Sequence, residues 1–145
     1  MVAATSPTGR HFKPENYENY KLCRKAFATC CADMNTLLCV YGSTTLKKGD
    51  SCPFSLDAFT DKNTAQLDHF WTSEMDAFSQ DWQGSILWVH PPYSMADLVL
   101  QKIKETPNFT GCVFLPEWFT EDWFLEFMDC CTTFRSFHHS HAHAS

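Results

Sequence analysis

The chain has 145 residues, 44% hydrophobic and 15% aromatic, enough for the core of one ordinary domain and too apolar for a mainly disordered chain. Its formal charge of −6 disfavours gripping bare duplex through phosphates, because that affinity depends on Lys and Arg displacing counterions. No apolar run approaches the roughly twenty residues of a spanning helix, so no membrane partner is expected.

Charge is unevenly placed. Residues 1–25 carry five Lys or Arg against two Glu, so a local basic face from Arg10, Lys13, Lys21, Arg24 and Lys25 stays open. Residues 106–145 carry five acids against one arginine. No basic stretch followed by an apolar one opens the chain, so an intracellular setting, nuclear or cytoplasmic, is expected. The eight cysteines are then expected as reduced, mostly buried thiols. None of their spacings has the two-residue gap of a zinc knuckle, so no metal site is expected.

Residues 1–13 are small and polar and read as a flexible lead-in. From Pro14 the pattern becomes helical: Tyr20, Cys23, Phe27, Cys30 and Cys31 recur three or four apart and share one face. "TLLCVY" is either the end of that helix or a short strand, and "GSTTLKKGDSCP" is a loop. "FSLDAF" reads as a strand closed by Asp57. "TDKNTAQLDHFW" is a helix or an irregular excursion, and "TSEMDAFSQDW" a turn with a short helical piece before Gly84 resets the chain. Ile86–Val89 is apolar without alternation, as expected of a strand covered on both faces.

A helix follows, read as starting at Ser94 with Asp97 completing a capping pattern, lined by Met95, Leu98, Val99 and Ile103, and stopped by Pro107. "GCVFLP" is a second buried strand, and "EWFTEDWFLEFMDCC" a helix with acids in its first turn. "TTFRSF" is a last strand, and the His-rich 138–145 a disordered tail. The alternating order predicts a single domain over 14–137: α/β, Rossmann-like, a mostly parallel sheet with covering helices.

Between Val89 and the helix stands His90-Pro91-Pro92-Tyr93. In open parallel sheets, ligands bind beyond the carboxyl ends of the strands, which is where this corner falls. The prolines fix φ and donate no hydrogen bond, leaving their carbonyls as acceptors beside the flat face of Tyr93. Acceptors beside an aromatic plate suit a planar base with an exocyclic amine, such as an extruded adenine or cytosine. Pro-Pro-Tyr also occurs in ordinary polyproline turns, so its place in the fold decides its meaning.

"WVHPPYS" resembles the Asn/Asp-Pro-Pro-Tyr signature of amino-group DNA methyltransferases. "LDAFTDKN", "HFW", "DAFSQDW", the corner and "GCVFLPEW" are similar in order to the landmarks of phage-type DNA N6-adenine methyltransferases. The same landmarks look similar to a segment of retroelement polyproteins that also carry reverse transcriptase and ribonuclease H, to which "DAFTDKN" and "DAFSQDW" stand closer. The resemblance covers about residues 54–125 and implies a small or truncated methyltransferase fold using S-adenosylmethionine. It implies DNA as partner, with a flipped base held by His90, Pro91, Pro92 and Tyr93, and cofactor contacts from Asp57, Asn63 and Asp76. Caps and turns are the competing reading for those last three.

His90 departs from the pattern, since the family places Asn or Asp there to accept from the reacting amine. A neutral imidazole offers one acceptor nitrogen, and a protonated one none. The departure points to a degenerate enzyme. Two other readings stand beside it: a non-catalytic retroelement-derived module binding nucleic acid or protein, and a protein-binding domain using Trp118, Trp123 and Phe124, for which core packing is the simpler account. The base-site reading requires Ile86–Val89 inside a sheet and Tyr93 not sealed in the interior.

Overall fold

A computed structural model describes residues 2–4, 20–22, 24–40, 52–137 and 142–144. In chain order its elements are β1 (Val2–Ala4), β2 (Tyr20–Leu22), α1 (Arg24–Val40), β3 (Leu56–Asp57), β4 (Ile86–Val89), α2 (Ala96–Glu105), β5 (Thr110–Phe114), α3 (Asp122–Cys130), β6 (Thr133–Arg135) and β7 (Ala142–Ala144). Five strands form one sheet in the order β3-β4-β5-β1-β6. Every pairing in it is parallel, with Asp57 opposite Trp88 and Val89 opposite Val113. The fold is the α/β, Rossmann-like one expected. β2 and β7 form a separate antiparallel pair. Two short strands, β1 and β7, thus fall within the segments expected as lead-in and tail, whose remaining residues lie outside the described ones.

The strands are continuously apolar because both faces are covered. Trp88, Cys112 and Phe114 turn to one face and meet Ala26, Cys30, Met34 and Leu38 of α1, which recur at the spacing of one helical stripe. Leu87, Val89, Val113 and Leu115 turn to the other face and meet Val99 and Leu100 of α2 and Phe127 of α3. Each fully buried side chain of this size is worth about 1.5–3 kcal/mol over exposure, so a strand such as Leu87-Trp88-Val89 is stable only inside such a sandwich.

α1 begins at Arg24, so Tyr20 belongs to β2 and not to the helical face assigned from its spacing. Cys23 lies outside the described residues, while Cys30, Cys31 and Phe27 do pack inward. "TLLCV" is the end of α1, and most of the loop after it is outside the described residues. α2 starts at Ala96, after a 3-10 turn over Tyr93–Met95, and no side chain caps it. The capping pattern from Ser94 is therefore not formed: Asp97 accepts from the adjacent Leu98 N–H instead, at 2.9 Å. The Pro92 carbonyl starts the chain's turn by accepting from Met95 N–H at 2.9 Å, which displaces the helix start by two residues.

Gly111 is required by close approach. A Cβ there would lie 2.6 Å from the Leu87 carbonyl oxygen and 2.8 Å from Cζ of Phe109. Gly84, at φ 87°, makes the turn into β4.

Candidate active site

Parallel strands end together, so Asp57, His90 and Leu115 mark one edge of the sheet, at the carboxyl ends of β3, β4 and β5. This is the edge at which α/β sheets take ligands.

At β3, the Asp57 backbone is hydrogen-bonded through both its N–H and its carbonyl. Its backbone N–H donates to the His69 carbonyl at 3.0 Å, and its carbonyl accepts from Trp71 N–H at 2.9 Å. The irregular excursion 60–71 thus folds back to form a parallel bridge along β3. The Asp57 side chain is 2% exposed and accepts from Gln66 N–H at 2.9 Å through Oδ2. Its Oδ1 has no hydrogen-bond partner among the described residues. Burial raises the pKa to about 7, opposed by the backbone N–H groups of Gln66 and Phe59. An isolated buried carboxylate resists ionisation.

Asn63 lies on the same excursion and is exposed, in a turn built by a neighbour. Asp61 accepts from Asn63 N–H at 2.7 Å, from Thr64 N–H at 2.9 Å and from the Thr64 hydroxyl at 3.1 Å. Those bonds hold the Asp61 carboxyl below its usual range. Asp61 is a local organiser that the sequence reading passed over, although an Asx residue two before Asn63 was its signal.

Asp76 is exposed and sits at φ 52° and ψ 93°, strained backbone for a residue with a Cβ. It joins two 3-10 turns and caps the second, accepting from Phe78 N–H at 3.1 Å. The strain is sustained by its anchors. Trp82 is buried and donates from Nε1 to the Ala77 carbonyl at 2.8 Å, and Lys102 Nζ donates to the Phe78 carbonyl at 3.1 Å. Phe78 also meets Phe59 at 5.4 Å between ring centroids, which joins the Asp76 loop to the Asp57 loop.

At the corner, Pro91 is buried and Pro92 half-buried. The Pro92 carbonyl is taken up by Met95 N–H, so it is not the free acceptor expected of it. His90 packs edge-on against Phe114, 4.9 Å between centroids, and burial lowers its pKa to about 4. That shift holds the imidazole neutral at physiological pH. Tyr93 is half-buried against the α1 side of the core, with its ring edge-to-face to Trp118 at 4.9 Å. Trp118 follows β5 on the same edge, so it is neither plain core nor shown as a protein-binding surface, and the position of "LPEW" just past a strand end is the signal of its place beside Tyr93.

A parallel sheet covered on both faces and a proline corner at its carboxyl edge define a Rossmann-like α/β domain, with Asp57, His90 and Tyr93 at or just beyond the ends of neighbouring strands. The chain belongs to the DNA N-6-adenine-methyltransferase (Dam) family, whose model matches residues 36–133, more than half of it. No curated protein and no solved structure matches the chain. Among the described residues no helix is long and apolar enough to cross a membrane, and no group of three or more His, Cys, Asp or Glu could hold a metal ion.

The usual methyl donor of such enzymes is S-adenosylmethionine. The residues present fit it in one testable respect: the unpartnered, buried Oδ1 of Asp57 needs a donor, and ribose hydroxyls and the methionine ammonium are donors.

Proposed function

We propose that this domain binds S-adenosylmethionine through Asp57, Asn63 and Asp76 and receives an extruded adenine at His90-Pro91-Pro92-Tyr93, with His90 leaving it a slow or inactive enzyme. The observation that carries the reading is the orphaned Asp57 oxygen, buried on the strand next to the one that delivers His90. Burial without a partner disfavours the apo state and is relieved by a ligand that donates.

The cofactor, when bound, supplies an electrophilic methyl group. The chain's own residues orient and hold. Tyr93 offers an aromatic ring packed edge-to-face with Trp118, and a stacked base is worth about 1–3 kcal/mol. Pro91 stiffens the approach to it and contributes a carbonyl acceptor. Neutral His90 accepts from one amine hydrogen but reaches differently from a carboxamide, and errors of about 1 Å in such placement cost on the order of a hundredfold. The enzyme reading therefore predicts that the geometry, rather than the charge, of His90 limits transfer.

The alternative, a non-catalytic retroelement-derived interaction module in a larger polyprotein, is supported by the likeness of "DAFTDKN" and "DAFSQDW" to such segments and by the acidic balance of −6. One calorimetric series separates the two. Binding of S-adenosylmethionine by the wild-type chain, lost in Asp57→Ala, supports the methyltransferase reading. Absence of binding at millimolar cofactor in a folded wild-type chain leaves the module.

A further inference from the structure

Four rings form a bridge over the carboxyl edge of the sheet. Tyr93, packed against the core on the α1 side, meets Trp118 at 4.9 Å with a 73° interplanar angle. Trp118 meets Trp123 of α3 at 6.2 Å, and Trp123 meets Phe127 at 6.4 Å, inside the core on the α2 and α3 side. Tyr93 and Trp118 come from different loops, after β4 and after β5, and the backbone of the first loop is stiffened by two prolines.

A tyrosine ring at a sheet edge has two soft torsions, and prolines before it restrain the backbone without restraining the side chain. Edge-to-face packing does restrain it, because the ring quadrupoles favour that angle and a turned ring loses the contact. We infer that Trp118 is a positioning residue, which acts through Tyr93 to hold the face on which an unpaired nucleobase stacks. The inference rests on the reading of the corner as a base site. It also links α3 to the site, since Trp118 is itself backed by Trp123.

The test uses the full chain and a single-stranded oligodeoxynucleotide containing one 2-aminopurine, whose fluorescence is quenched when it stacks on an aromatic ring. Wild type binds and quenches. Trp118→Leu weakens binding about fivefold and relieves the quench, whereas Trp118→Phe, which keeps a ring to pack, stays within about twofold. In a Tyr93→Leu background the same Trp118 substitutions have no further effect, an outcome that a merely structural role would not give. Circular dichroism and the melting temperature report whether each variant is folded. If Trp118→Leu does not fold, Trp118→Met, which keeps bulk but removes the ring, takes its place in the two backgrounds and decides by the same loss of effect.

Equal weakening by Trp118→Leu with and without Tyr93, or wild-type binding by a folded Trp118→Leu, overturns the positioning role and leaves the base site standing. Failure of Tyr93→Leu alone to change binding or quenching overturns the base site, and the inference with it.

Discussion

Asp57 Oδ2 accepts from Gln66 N–H at 2.9 Å and the Phe59 N–H also favours the ionised carboxylate, while Oδ1 has no partner at hydrogen-bond geometry among the described residues. A carboxylate in that position is tolerated in apo protein chiefly by staying protonated, and its pKa of about 7 expresses this. The same residue therefore ties stability to pH and is where the proposed cofactor contact can be tested.

Stability should respond to Asp57 on the alkaline side. Its folded pKa is raised above the unfolded value, so its contribution is fully present below about pH 4 and is lost as pH rises through about 7. Asp57→Asn removes the loss. At pH 8 it should be more stable than wild type by on the order of 2–4 kcal/mol in urea titrations, and the difference should vanish toward pH 4.

Cofactor affinity should run the other way. An ionised Asp57 is the better acceptor, so S-adenosylmethionine binding by wild type should strengthen as pH rises from 6 to 8. The ceiling is about tenfold per unit below the pKa. Calorimetry on Asp57→Asn should show weaker binding with little pH dependence across that window.

His90 acts on the acid side. Its pKa of about 4 lies below the unfolded value, so the stability of its half-buried neutral form is present above about pH 6.5 and is lost as pH falls through 4. NMR should find the imidazole neutral throughout pH 5–8. His90→Asn should remove this acid-side loss and, with S-adenosylmethionine and adenine-containing DNA, raise methyl transfer by up to about a hundredfold. No rise, in a variant that still binds cofactor, counts against placement of His90 at the transferred amine.

Gly111 tests the fold independently of function. A methyl group at this position meets the Leu87 carbonyl oxygen, which belongs to the neighbouring strand and cannot turn away. Gly111→Ala should lower stability by about 1–3 kcal/mol in urea, the range of overpacked cores.

The local elements that were legible are those whose signal lies within a few residues. Ile86–Val89 read as a strand because nothing in it is polar, and the helix over Asp122–Cys130 because its apolar side recurs at helical spacing. Tyr20 misled because its spacing to Phe27 fits a helix, while pairing with β7, more than a hundred residues away, places it in a strand. Ser94 misled for a local reason: Pro92 accepts from Met95 N–H and opens a 3-10 turn that runs through Ser94, so the helix starts two residues later at Ala96.

By itself the sequence determined the alternation of strands and helices, the stiff corner and the list of polar residues near strand ends. These are matters of short-range sterics and periodicity. Tertiary structure alone decided which of those residues are buried, charged or clamped. Asp57 loses water because residues 66–71 fold over it, His90 is neutral because Phe114 and the sheet surround it, and Tyr93 is held because Trp118 arrives from another loop. Desolvation and ring packing depend on what lies across space, and spacing along the chain does not encode it.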